Sequence, residues 1–106
     1  MSNLINALDD AVLGHYCIVR GREFGVFAGT VEAAEDDRIL LTNARRLWYW
    51  DGAASLSQLA AEGVTNPDDC KFSMPVERIV LLRAIEIIPA TEQARACIAE
   101  VPVWKR

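Results

Sequence analysis

From Gly25 to Ala54 the chain reads GVFAGTVEAAEDDRILLTNARRLWYWDGAA: two β-type runs, an acidic turn between them, then a basic pair leading into three aromatic residues. This stretch limits the fold more than any other. Val26 to Ala34 predicts a strand, within which Gly29 has no side chain to pack and so marks a bulge or a sharp bend. Glu35-Asp36-Asp37 is the polar turn, Arg38 to Thr42 the next strand, Asn43-Ala44 a break, and Leu47 to Trp50 a further β-prone run, because aromatic side chains suit a pleated, half-buried surface. His15 to Arg20 alternates as a strand ahead of the glycine-bounded turn Gly21–Gly25, so the whole predicts an antiparallel meander.

The flanks add helices. Ser2 or Asn3 caps a first helix with Leu4, Ile5, Leu8 and Val12 at near-helical spacing, Asp9 and Asp10 opposite, and Gly14 to end it. After the Asp51-Gly52 turn, Ser55-Leu56-Ser57-Gln58 has the spacing of a capping box for a short inserted helix closed by Gly63. Thr65 to Asp69 reads as a loop, and Pro75 confines the residues before it to an edge or a strand start. Ile79 to Leu82 and Ile85 to Ile88 are short, β-branched and wholly apolar apart from Glu86, the pattern of a central strand buried on both faces. Thr91 caps a last helix with Ala94, Cys97, Ile98 and Val101 on one side. The fold class expected is α+β, mainly β: one domain over residues 1–106, a small bent five-stranded antiparallel sheet with an N-terminal helix, an inserted short helix and a C-terminal helix.

Composition narrows the functions. With 106 residues the chain suits one modest core. A formal net charge of -4 supplies no global positive field, so long nucleic acid is an unfavourable partner. Cys17, Cys70 and Cys97 are widely spaced and form neither a disulfide framework nor a zinc pattern, which fits reduced thiols. Residues 1–13 lack the basic start of a signal peptide, and no apolar run approaches the ~20 residues that span a bilayer. The expectation is a soluble, intracellular protein with no membrane partner.

The stretch Arg45 to Trp50 carries the binding candidates: Arg45, Arg46, Trp48, Tyr49 and Trp50. Guanidinium groups offer planar donors to phosphate or carboxylate, and the aromatic faces offer stacking surfaces. On a regular strand Arg46, Trp48 and Trp50 share one face and Arg45, Leu47 and Tyr49 the other. The alternative is that one face is core and the arginines cover its rim. His15 stands alone at a strand start, the acidic residues Glu32, Glu35, Asp36 and Asp37 lack calcium-loop spacing, and Cys70 beside Lys71 is a loop thiol that a cation would favour as thiolate. No catalytic residue, metal set or cofactor is named by the sequence. Trp48, Trp50 and Trp104 are more than one small core readily buries, which predicts a homo-oligomer.

Two resemblances follow from these residues. Residues 26–42, with a glycine in a bent strand, an acidic turn and an apolar strand, resemble the Sm pattern and imply an Sm/SH3-like barrel. The Arg-Gly pair of the second Sm signature has no counterpart around Ile79 to Leu82. Ala44-Arg45-Arg46-Leu47-Trp48-Tyr49-Trp50, with Gly52-Ala53, Leu56 to Ala60 and Ala84 to Pro89, is similar to a family of short proteins of tailed phages and prophages. That resemblance implies a phage origin and the cytoplasm of the bacterial host. The function it implies is a non-enzymatic binding module acting against host defence, by binding a host protein or sequestering a small nucleotide-like anion. The alternative is an Sm-like small β-barrel that binds nucleic acid.

Overall fold

The structure, a computed structural model, describes residues 3–104; Ser2 and the side chains of residues 3–6 lie outside what it describes. In chain order it contains α1 (Asn3–Val12), β1 (Tyr16–Gly21), β2 (Val26–Glu35), β3 (Arg38–Tyr49), α2 (Leu56–Glu62), a 3-10 turn (Pro67–Asp69), β4 (Lys71–Phe72), β5 (Val76–Leu81), β6 (Ala84–Pro89) and α3 (Glu92–Glu100). The class is α+β, mainly β, and the three helices stand where the sequence places them. The sheet has six strands rather than five. The extra one, β4, is two residues long between a polar loop and Pro75, too short to show a period.

Strand order is β4-β3-β2-β1-β6, with β5 also paired to β3. All the strand pairs are antiparallel. Here a second expectation fails, since the two most apolar runs are β5 and β6, one at each edge of the sheet. Only Leu82 and Arg83 separate them. In a flat sheet four strand spacings would hold these edges ~19 Å apart, whereas so short a connection reaches only ~11 Å. The sheet must therefore curl. At the corner, Ala84 N–H donates to Asp37 O at 3.0 Å and Arg22 N–H donates to Arg83 O at 3.2 Å, tying the β5–β6 turn to both neighbouring turns. Curling turns one face of β5 and β6 inward, which explains their apolar sequence, while Val80, Leu82 and Ile85 remain more than half or about half exposed on the outside.

The bend lies where Gly29 predicts it. Between Ala28/Arg45 and Thr30/Thr42 the register gains a residue on β3, and between Val31/Leu41 and Ala33/Leu40 it gains one on β2. The expected break at Asn43-Ala44 is thus a bulge in one continuous strand, with Asn43 at φ 50. A Cβ on Gly29 would sit 3.1 Å from Ala44 Cα and from Thr42 O, so a side chain there would be crowded against the backbone of the bulge.

The curled sheet has a core on each face. Cys17, Val19, Phe27, Val31, Ile39, Leu41, Ala44 and Leu81 fill the inside. On the outside, α2 and α3 cover Ile18, Ala28 and Leu47 with Leu59, Ala60, Ile98 and Val101, and Phe72 joins them. The helix ends are capped by their own residues. Ser55 Oγ accepts from Gln58 N at 3.1 Å while Gln58 Oε1 accepts from Ala54 N at 2.8 Å. Thr91 Oγ1 accepts from Ala94 N at 3.0 Å and donates to Ala61 O at 2.7 Å, which joins the start of α3 to the end of α2.

Candidate functional site

The five candidates between Arg45 and Trp50 do not converge. Arg45 is buried, and each of its hydrogen bonds goes to main chain: Nε donates to Ser73 O at 2.8 Å, and Nη1 to Ile98 O at 2.7 Å and Val101 O at 2.8 Å. Longer contacts run from Nη2 to Phe72 O at 3.4 Å and Pro102 O at 3.5 Å. The guanidinium also lies 5.5 Å from the Phe72 ring. A cation at the C-terminal carbonyls of α3 satisfies orphan acceptors and opposes the helix dipole. Arg45 is therefore neither a ligand group nor a rim residue; it rivets α3 and the chain after it to the outer face of the sheet. Burial pulls its pKa down from the ordinary arginine value.

Arg46 points to the other face. Its guanidinium stacks 4.4 Å from the Phe27 ring centre, and Nη1 donates to Phe24 O at 2.8 Å. Beyond it the strand alternation fails, because the pairing of β3 with β4 shifts between Leu47 and Tyr49. Trp50 accordingly packs against the helix-covered core beside Leu47, and not with Arg46 and Trp48. Trp48 and Tyr49, at 55% and 50% exposure, both face solvent.

What Trp48 meets was not legible as a site. Trp104 lies edge-on to it, with ring centres 5.2 Å apart and planes at 81°. Lys71 Nζ sits 5.4 Å from the centre of the Trp104 ring. Backbone bonds fix this cluster: Val103 forms a parallel bridge with Phe72, and Trp104 N–H donates to Phe72 O at 2.9 Å. The result is an indole pair with the Lys71 cation beside it, built on the end of β3, on β4 and on the segment after α3. Lys71 and Trp104 have no local signature, since 32 residues of chain lie between them and only the tertiary fold brings them together.

The other candidates resolve individually. Cys70 is not an exposed loop thiol: it is buried, takes a hydrogen bond from Asp51 N at 3.4 Å, and burial raises its pKa, so thiol and not thiolate is favoured beside Lys71. Burial pushes Cys17 up to about 11, in keeping with a core residue. Cys97 packs against the helix-covered core with Sγ 3.3 Å from Val64 O. His15 is an exposed turn residue whose carbonyl accepts from Val31 N at 3.0 Å. Among the described residues no group of three His, Cys, Asp or Glu is placed to hold a metal ion, and no helix is long and apolar enough to cross a membrane.

Among the open grooves on the described surface are three. One of about 540 Å³ lies at the double bulge, between Glu32, Asn43, Glu77 and Arg78. One of about 430 Å³ lies along the β2–β3 hairpin beside Leu40 and Val80. The third, of about 260 Å³, has Arg46 and Phe24 among its lining residues. No curated protein and no solved structure matches the chain. A family model matches residues 14–98, from the turn before β1 to the last turns of α3, and the chain belongs to that family, described as a domain of unknown function, DUF6948.

Proposed function

We propose that this protein is a non-enzymatic binding module of phage or prophage origin, which acts in the cytoplasm of the bacterial host by occupying a host protein. The observation that carries the reading is Trp48: more than half exposed, yet held edge-on by Trp104, with Lys71 beside the pair. Tryptophan is enriched among the residues that dominate binding energy at interfaces, and an indole already fixed by its neighbours loses little entropy on binding. The same reading makes the protein a homo-oligomer. Met74, Val76, Val80, Leu82 and Ile85, all exposed on or beside β5 and β6, are the apolar surface that supports it.

Capture from host lysate on immobilised protein tests the proposal. A partner retained by the wild type and lost with Trp48→Ala supports it; a partner retained equally by both, or none retained by either, removes the indole pair as the binding surface. Lys71 favours one second reading, a small Sm-like barrel that stacks the bases of single-stranded nucleic acid on the two indoles. Titration with a short oligonucleotide while monitoring tryptophan fluorescence decides it, since stacking on Trp48 or Trp104 quenches emission and salt weakens the binding.

A further inference from the structure

The curled sheet is tied at its β5–β6 corner but has no ladder between those strands, and Phe24 stands beside the opening. Its loop is bracketed by glycines, Gly21 and Gly25, with Gly25 at φ 83 and a Gly21 N to Gly25 O bond of 2.9 Å closing the turn. The Phe24 ring lies back over Gly21, where a Cβ would fall 1.9 Å from the nearest ring carbon. It meets Phe27 edge-on, with ring centres 5.8 Å apart. Phe24 is thus half-buried in a hollow made by a missing side chain, and a rotation of the side chain alone would free that hollow without breaking the bonds of the turn.

The groove beside it, about 260 Å³, pairs this aromatic slot with positive charge: Arg46 and Arg83 line it with Glu23, Phe24 and the apolar run Ile79 to Leu82. Glu23 is paired with Arg83. Among the described residues Arg46 forms no ion pair; one of its donors goes to Phe24 O, and its plane is oriented by Phe27. A guanidinium stacked on a ring, with donors to spare, is suited to a planar or tetrahedral oxyanion.

We infer that this groove is a binding site for a small aromatic anion, a single ring bearing a phosphate or carboxylate, whose ring replaces Phe24 against Phe27 while Arg46 holds the oxyanion. The site is separate from the indole pair and does not rest on the host-protein reading.

Phenyl phosphate is the probe, with inorganic phosphate and phenol as its two halves, and binding is followed by NMR through the Phe27 ring and Arg46 side-chain resonances. Phenyl phosphate should give saturable shifts at both groups, and each half alone should bind at least about tenfold more weakly. Because Phe24 competes for the slot, Phe24→Ala should bind several-fold more tightly, the range expected from releasing one aromatic pair. Removing the charge with Arg46→Gln should weaken binding by about tenfold or more, with Arg46→Lys falling between. Should Arg46→Gln not fold, Arg46→Lys and Phe24→Ala still decide. Equal or weaker binding by folded Phe24→Ala, unchanged binding by both Arg46 variants, or no saturable shift with the slot open would overturn the inference.

Discussion

Adjacent residues with the same side chain carry opposite duties here. Arg45 and Arg46 are indistinguishable in composition, but the first is sealed among carbonyls at the end of α3 and the second lies against a phenyl ring at the edge of the inner core. Replacing Arg45 with alanine should leave Ser73 O and Val101 O without the donors that now meet them and cost about 3 kcal/mol, read as a lowered midpoint in urea. Lysine should rescue only part, because one ammonium cannot serve carbonyls on both sides of a planar fork. The sequence could not tell the two apart, since alternation gives which residues face together but not which face a helix will cover. Titration is also set at this scale. Tyr16 is pushed up to about 12 and Cys17 up to about 11, both chiefly by burial, from ordinary values of 10.0 and 9.0. Each is neutral in the folded protein while the unfolded chain already ionises, so their contribution to stability is complete below pH 9 and is lost as pH rises towards 12. Thermal midpoints should fall through that window, and Tyr16→Phe should flatten the decline above pH 10.

Among the elements, local chemistry was most readable where it is self-contained. Thr91, Ser55 and Gly29 announce two caps and a bend because each acts on its own neighbourhood. The apolar runs of β5 and β6 misled for the opposite reason: residues facing the inside of a curled sheet read the same as residues of a central strand, and curling is decided by a corner, Leu82-Arg83, that carries no turn signature. The single-residue shifts in β3 were equally silent beyond Gly29, and they are what scatters the aromatic block over three environments. Thr91 serves two helices where Ser55 serves one, so Thr91→Ala should cost about 1–2 kcal/mol against about 0.5–1 for Ser55→Ala. Denaturant unfolding of the two variants side by side checks that order.

Across the whole molecule, the helices cover only part of the outer sheet surface, and β5 keeps Val76 and Val80 exposed at an edge. The expected outcome in light scattering coupled to size exclusion is a mass above the 11.7 kDa of one chain at tens of micromolar. Val80→Glu, on an exposed edge position, should return it to the monomer with little change in stability, because an isolated surface substitution stays within about 0.5 kcal/mol. A monomeric wild type would remove self-association and leave the indole pair and the Arg46 groove to be judged on their own tests.

β1 has neither a free edge nor a free face at its centre: β2 and β6 flank it, Cys17 and Val19 enter the inner core, and Ile18 enters the helix-covered one. Its amide protons have no local route to water. Hydrogen–deuterium exchange at Cys17, Ile18 and Val19 should proceed only through unfolding of the entire chain, and so read out global stability, while amides of the two-residue β4 exchange through small openings orders of magnitude sooner. The slowest protons in the molecule would then report how tightly the two cores share a single strand.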